Sequence, residues 1–172
     1  MKRNYLLAIA SMFVITACST TSGTSPVIGY SGFDKAKTVS IAPHGNACKE
    51  MICTALGAEW NQSKPDQALL IVMVVNEITG ITGASLSIDG EKIVLIPTQQ
   101  VTDFSSPLPE LRQSAKAFIV PLALIERITT AKRVWLRVST PTGYYEDAVI
   151  DGEDSKAYNA LKRFMLSVKQ NS

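Results

Sequence analysis

Apolar and polar residues are arranged along the chain in patterns that predict several short strands. Residues 67–79 are almost continuously apolar and rich in branched side chains, which is typical of a central strand buried on both faces. In residues 83–98, apolar residues first alternate with serines, and Asp89-Gly90 then supplies the two-residue turn that joins hairpin strands. Further strands are predicted at residues 37–43, at both ends of 114–140 and at 144–150.

Three segments have the apolar spacing of amphipathic helices. The first is residues 47–62, where a large apolar side chain recurs at every fourth position from Ile52. The second begins at Pro121, because the N–H that proline lacks would have no partner in the first turn of a helix. The third is residues 154–170, with Asp154 or Ser155 as its N-terminal cap.

The predicted order of elements is therefore β-α-β-β-β-β-α-β-β-α. Because hairpins dominate this order, we expect a mostly antiparallel sheet with about three helices packed on it. The predicted fold class is α+β, in a single globular domain that spans residues 37–172.

The first 18 residues have the pattern of a secretory signal. Lys2 and Arg3 precede an uncharged apolar run at residues 5–17, which is shorter than the roughly 20 residues that a membrane-spanning helix needs. The segment ends in Ile15-Thr16-Ala17-Cys18, which resembles the lipobox of bacterial lipoproteins. The resemblance implies cleavage before Cys18, a diacylglyceryl thioether on its sulfur and a third acyl chain on its new amine.

The residues that follow Cys18 fit a lipid-anchored protein. Residues 19–32 are rich in Ser, Thr and Gly, so residues 18–36 are assigned to the lipidated cysteine and a flexible tether, and residues 1–17 to the signal peptide. More than one acyl chain makes anchoring stable. In the lipoprotein family an Asp after the lipidated Cys favours the inner membrane, so Ser19 implies the outer membrane, facing the periplasm. Cleavage without lipidation is the alternative.

Charge and motif content exclude several classes of function. Without residues 1–17 the chain loses two basic residues, leaving 15 basic and 15 acidic residues and a net charge of zero. Its densest basic stretch, Lys132-Arg133 with Arg137, is too sparse for a nucleic-acid surface. The sequence contains neither a glycine-rich phosphate-binding motif nor a serine-nucleophile motif. We therefore expect no catalytic residue, cofactor, metal site or nucleic-acid partner.

Cys48 and Cys53 are the two cysteines left after Cys18, and in an oxidising compartment they predict a disulfide. Residues five apart in a regular helix lie about 8–9 Å apart, beyond the bridging limit of about 7 Å. A bonded Cys48 must therefore lie at or before the start of the helix predicted there. The alternatives are a metal site with His44, a redox-active pair and two free thiols. The single histidine and the four-residue gap disfavour the first two.

Residues 146–155 form the one clustered stretch of carboxylates. Asp151, Glu153 and Asp154 are candidates for a calcium loop, but the stretch lacks the alternating oxygen ligands of an EF-hand. We interpret it as a strand end and a turn that place negative charge at the N-terminus of the last helix. His44, between a proline and a glycine, is interpreted as an exposed turn residue.

Arg133, Trp135 and Arg137 lie on one face of a predicted strand and form the candidate binding surface, because aromatic and arginine side chains are enriched at binding hot spots. The alternative is a single aromatic side chain covered by a neighbouring loop or helix. The leading hypothesis is a lipid-anchored, non-enzymatic binding or structural module of the cell envelope. Its expected partners are the membrane, through the acyl chains on Cys18, and an envelope protein or polymer. The alternatives are a periplasmic inhibitor or immunity-type binder, and a hydrolase whose site has no local motif.

Overall fold

Two β-sheets and two helices form the domain in the computed structural model, which describes residues 23–105 and 111–172. The predicted signal peptide, the lipobox-like segment and Cys18 lie outside the described residues. The strands are β1 (Val27–Ser31), β2 (Ala36–Gly45), β3 (Cys53–Asn61), β4 (Gln67–Val75), β5 (Gly83–Ile88), β6 (Glu91–Val94), β7 (Ile96–Pro97), β8 (Gln113–Pro121), β9 (Arg133–Thr140) and β10 (Gly143–Asp151). The helices are α1 (Leu122–Thr130) and α2 (Lys156–Asn171).

Both sheets are antiparallel, and both contribute to one hydrophobic core. The larger sheet has the strand order β1-β2-β3-β4-β8-β7, and the smaller has the order β10-β9-β5-β6. Helix α2 packs mainly against β2 and β3, and α1 packs against α2. The core is continuous across these elements; its fully buried members include Val39, Leu70, Phe118, Ile125, Leu136 and Phe164.

The predicted α+β class with about three helices is wrong, because residues 47–62 do not form a helix. They form a loop followed by β3, a central strand between β2 and β4. Leu56 and Trp60 are four apart, and a spacing of four fits the two-residue period of a strand as well as a helical turn. Gly57 lets the backbone of β2 approach β3 closely. A Cβ at this position would lie 2.7 Å from the carbonyl oxygen of Ile41. The result is a small β-rich domain.

Several other predicted elements are confirmed. Asp89 and Gly90 both have positive φ angles, 48° and 94°, and join β5 to β6 as a hairpin. Helix α1 follows Pro121, which is its N-cap residue. Helix α2 begins after Ser155, whose hydroxyl accepts a hydrogen bond from the Tyr158 N–H at 3.1 Å.

Part of the segment predicted as a tether belongs to the fold. Strand β1 lies within residues 18–36 and pairs with β2, with Val27 opposite Ser40. Thr24 is already fully buried. The branched and aromatic residues of β1 suit a strand, and they outweigh the Ser, Thr and Gly content around them. Within residues 23–105 and 111–172, no helix has the length and apolar character needed to cross a membrane.

Candidate functional site

The outer face of β9 carries the three side chains predicted as a binding surface. Val134, Leu136 and Val138 alternate with them and are fully buried. Arg133, Trp135 and Arg137 therefore point away from the core, as expected from the two-residue period of a strand.

Strand β10 places an acidic residue opposite each of the two arginines. Asp151 is the partner of Arg133, and Glu146 is the partner of Arg137 in the antiparallel register. The Arg133 Nε lies 3.0 Å from the Asp151 Oδ2, and Arg137 forms an ion pair with Glu146. These side chains are more than one third exposed, so the pairs add little to stability and mainly fix the position of the guanidinium groups.

Aromatic rings complete this face of the sheet. The guanidinium carbon of Arg137 lies 4.5 Å from the centre of the Tyr144 ring, within the range of a cation–π contact. The guanidinium of Arg133 lies 5.9 Å from the Trp135 ring. The face therefore presents two aromatic side chains whose neighbouring charges are paired.

Asp151 fixes the indole of Trp135. Its Oδ2 accepts a hydrogen bond from the Trp135 Nε1–H at 2.9 Å as well as from Arg133. The indole hydrogen bond lowers the pKa of Asp151, and the hydrogen bond and charge of Arg133 lower it further. A carboxylate that stays ionised holds the ring in one orientation.

The acidic stretch is a strand end followed by a turn before the last helix, as interpreted, but Asp151 has an additional role. Asp151 ends β10 and belongs to the candidate site, while Glu153 and Asp154 lie in the turn before α2. The first turn of α2, which lies wholly in the described part of the chain, contains no acidic residue. Among residues 23–105 and 111–172, no group of three acidic, histidine or cysteine side chains is placed to hold a metal ion.

The Cys48–Cys53 disulfide is present, and its Cα–Cα distance is 5.5 Å. Cys53 is the first residue of β3, so the bond closes a loop before a strand and not before the predicted helix. The Ala47 N–H donates to the carbonyl oxygen of Ala148 at 2.8 Å, which attaches this disulfide loop (residues 47–52) to the free edge of β10. The loop thereby becomes one wall of the candidate site.

A buried carboxylate that the sequence analysis missed joins the two sheets. Asp147 on β10 accepts hydrogen bonds from the backbone N–H and the hydroxyl of Thr54, at 2.6 Å and 2.8 Å. The Asn46 Nδ2 donates to the same hydroxyl at 2.8 Å. The available signal was an aspartate on the core-facing side of a predicted strand. In the antiparallel register, Asp147 of β10 lies opposite the buried Leu136 of β9. Such a residue needs buried partners.

The disulfide loop and the outer side of β9 and β10 enclose a groove of about 680 Å³, which we call the β9–β10 groove. This volume lies within the usual range for small-ligand sites. Its aromatic lining residues are Trp135, Tyr144 and Tyr145. Its charged lining residues are Lys49, Glu50, Glu146, Asp147, Asp151 and Glu153. Trp135 is thus half-buried beside a loop but still borders open space.

Carboxylates outnumber cations in the groove. Arg133 and Arg137 neutralise two of its five carboxylates, and Lys49 is the one basic residue among the described lining residues. Asp147 is buried and hydrogen-bonded to Thr54, so the exposed unpaired charges are Glu50, Glu153 and Lys49, with a net charge of −1. The potential in the groove therefore favours cationic groups.

His44 is not the exposed turn residue that was predicted, and it does not line the groove. It lies in β2 opposite Leu56, where the strand register shifts. Its Nε2 is buried and has no hydrogen-bond partner among residues 23–105 and 111–172. Burial lowers the pKa of His44, and the charge of Lys156 lowers it further. The imidazole is therefore neutral near pH 7.

Comparison with known proteins adds no further identification. The chain matches no protein-family model, no curated protein and no solved structure. Any function assigned to the groove therefore rests on its own shape and chemistry.

Proposed function

We propose that the protein is a lipid-anchored, non-enzymatic module of the cell envelope, held in the outer membrane through Cys18, that binds a basic segment of an envelope protein in the β9–β10 groove. The anchor rests on the charged start, the apolar run and the lipobox-like Ile15-Thr16-Ala17-Cys18. The disulfide agrees with an oxidising compartment.

The observation that carries the binding role is the fixed Trp135 indole at the wall of the groove. Aromatic side chains are strong binding anchors when their orientation is set before the partner arrives. Asp151 sets the orientation of Trp135, and Arg137 and Tyr144 extend the surface at the next positions. These side chains are already ordered in the free protein, so binding loses little of their conformational entropy.

The charge of the groove selects the proposed class of partner. Glu50 and Glu153 are exposed carboxylates of the groove without an ion pair among the described residues. Lysine or arginine side chains of a partner would bind these carboxylates, while their aliphatic stems would pack on Trp135 and Tyr144.

The state of Asp151 favours binding over acid–base catalysis. A general acid needs a pKa near the working pH, whereas the pKa of Asp151 is lowered by the Trp135 hydrogen bond. The one histidine of the chain, His44, lies outside the groove. These features support a binding surface more than a hydrolase site.

The groove is tested by placing a photo-crosslinking residue at Tyr144 in intact cells, with the same residue at Tyr30 on β1 as the matched exposed control. We expect a defined protein adduct from position 144 alone. Trp135→Ala should reduce its yield about tenfold at equal protein level, the scale of one aromatic anchor. An unchanged yield, or an adduct only with a polymer, contradicts the proposed partner.

The anchor is tested separately by the intact mass of the membrane-extracted protein. We expect a mature chain that begins at Cys18 and carries the mass of three acyl chains. Cys18→Ala should leave the precursor unprocessed or mislocalised. A chain that begins elsewhere, or that carries no acyl mass, contradicts the anchor.

A further inference from the structure

The folded domain begins only a few residues after the proposed anchor. Thr24 is fully buried, and a Cβ at Gly23 would lie 3.8 Å from the Lys156 Nζ. Five residue steps separate Cys18 from Gly23, and they span at most about 18 Å in any conformation. The end of the domain that carries Gly23 therefore stays close to the acyl chains on a lipidated Cys18.

The strand register shows which end of the domain this is. Val27 pairs with Ser40, so the chain before Val27 leaves β1 toward the end of β2 at Gly45. Gly45 pairs with Ala55 near the start of β3. The same end contains the disulfide loop, the last residue of β4 and the first residue of β8, because Val75 pairs with both Cys53 and Gln113. We call this end the anchor pole.

Hydrogen bonds tie the loops of the anchor pole together. Asn76 donates from its side chain to the carbonyl oxygen of Met51 at 2.7 Å, and from its backbone N–H to the carbonyl oxygen of Arg112 at 2.7 Å. Gln113 donates from Nε2 to the carbonyl oxygen of Ser105 at 2.9 Å. Three loops that are distant in sequence therefore form one surface.

This surface exposes large apolar side chains among charged ones. Met51 is 84% exposed, Ile78 53% and Phe104 50%. Lys49, Arg112 and Lys156 are exposed at this end, and the acidic Glu50 and Asp103 are exposed directly beside Met51 and Phe104. Single exposed apolar residues are normal, but three on linked loops beside a proposed lipid anchor form an apolar patch of the kind that suits the interfacial region of a bilayer.

We propose that the anchor pole docks on the bilayer surface, with Met51, Ile78 and Phe104 in the interfacial region. The proposal rests on the lipidation of Cys18 that the proposed function includes. The short span from Cys18 to Gly23 supplies the argument for this occupant, because it holds these side chains near lipid. A second copy of the chain is the competing occupant.

The test uses the full lipidated protein in vesicles of phosphatidylethanolamine and phosphatidylglycerol that contain a nitroxide-labelled lipid as quencher. A fluorophore is attached at Ile78→Cys, or at Phe33→Cys as the matched control. Phe33 is 97% exposed in the turn between β1 and β2, at the opposite end of the larger sheet. The introduced cysteine is the free thiol, because Cys48 and Cys53 are bonded and Cys18 is acylated.

We expect quenching at position 78 to exceed quenching at position 33 several-fold. On vesicles, the amide hydrogens of the anchor pole should exchange faster in the double variant Ile78→Asp, Phe104→Asp than in the wild type. Phe33→Asp should leave this exchange unchanged. Equal quenching at both positions in an acylated protein overturns the docking alone, and absence of acyl mass overturns the anchor. Protection of position 78 from the lipid quencher together with a crosslinked dimer assigns the pole to a second copy and also overturns the docking.

Discussion

Asp147 and Thr54 connect the two sheets through a pair of hydrogen bonds to one carboxylate oxygen, at 2.6 Å from the Thr54 backbone and 2.8 Å from its hydroxyl. The two residues are far apart in sequence and both are buried. Because the smaller sheet otherwise meets the larger one mainly through apolar side chains, this polar link specifies how β10 is placed against the start of β3.

Asp147→Ala should destabilise the protein by about 1–3 kcal/mol, because it leaves a buried N–H and hydroxyl without an acceptor. The free energy of unfolding in urea measures the effect. Glu146→Ala, at the adjacent exposed position, is the control, and we expect it to cost less than about 1 kcal/mol. Equal losses for the two variants would show that the sheet link has no special role.

Asp151→Ala should weaken partner binding about three- to tenfold while the domain stays folded, because the Trp135 indole loses the acceptor that orients it. The loss should be smaller than that of Trp135→Ala, since the ring itself remains. Glu153→Ala changes a neighbouring groove carboxylate without touching the indole, and thus separates charge from orientation. The tryptophan emission spectrum should shift in Asp151→Ala and not in Glu153→Ala. An unaltered spectrum in Asp151→Ala would argue against the positioning role.

Gly57→Ala should destabilise the domain by about 1–3 kcal/mol through overpacking. The added methyl would lie 2.7 Å from the carbonyl oxygen of Ile41 and 2.7 Å from the nitrogen of Pro43, and backbone atoms cannot move aside cheaply. Gly45→Ala is the matched control, because a Cβ there meets nothing within 4 Å. The measurement is the midpoint of thermal unfolding of each variant. Similar midpoints would contradict the close approach of the β2 and β3 backbones at Gly57.

His44 should make the protein lose stability in mild acid. Its pKa is lowered in the folded state by burial and by Lys156, so the unfolded chain binds the proton more readily. Stability is therefore fully present above the unfolded pKa of about 6.5 and is lost as the pH falls from there toward the lowered folded pKa. The pKa values of Asp103 and Asp151 are also lowered, and these carboxyl groups affect stability only in more acidic solution.

The measurement is the urea midpoint of unfolding across pH 7.5 to 5, roughly the range over which an ordinary histidine titrates. His44→Gln removes the titration at similar volume and should flatten the pH dependence. Lys156→Gln should reduce the slope without abolishing it, because burial is the larger cause. Parallel curves for the wild type and His44→Gln would exclude His44 as the acid-sensitive group.

Loss of the disulfide should destabilise the domain by about 2 kcal/mol, because the closed loop is short. Cys48→Ser with Cys53→Ser should also weaken groove binding, since the bonded loop carries Lys49 and Glu50. Thiol labelling of denatured, unreduced wild type should find no free cysteine. Two labelled thiols would contradict the bond, and intact binding by the double variant would show that the loop wall is dispensable.

Local sequence signals predicted the elements whose geometry is local. Asp89-Gly90 determines its hairpin turn by itself, and the apolar stripe of α2 together with Ser155 determines that helix. Residues 47–62 were predicted wrongly because a four-residue apolar spacing fits both a helix and a strand. The choice between them depends on β2 and β4, which supply the neighbours of β3.

The candidate site was predictable only in part, for a similar reason. The alternation of β9 placed Arg133, Trp135 and Arg137 on one face. Their partners depend on the register of β10, and that register shifts at a bulge between Ala148 and Ile150. No local pattern gives the attachment of the disulfide loop to β10, because it is a single bridge between residues about a hundred positions apart.

The burial of Thr24 also limits the reach of the protein. Strand β2 has ten residues and is about 33 Å long, and the chain from Cys18 to Gly23 adds at most about 18 Å. The far end of β2 can therefore lie no more than roughly 50 Å from an acylated Cys18. With the proposed anchor in place, the domain would meet only molecules that come near the membrane.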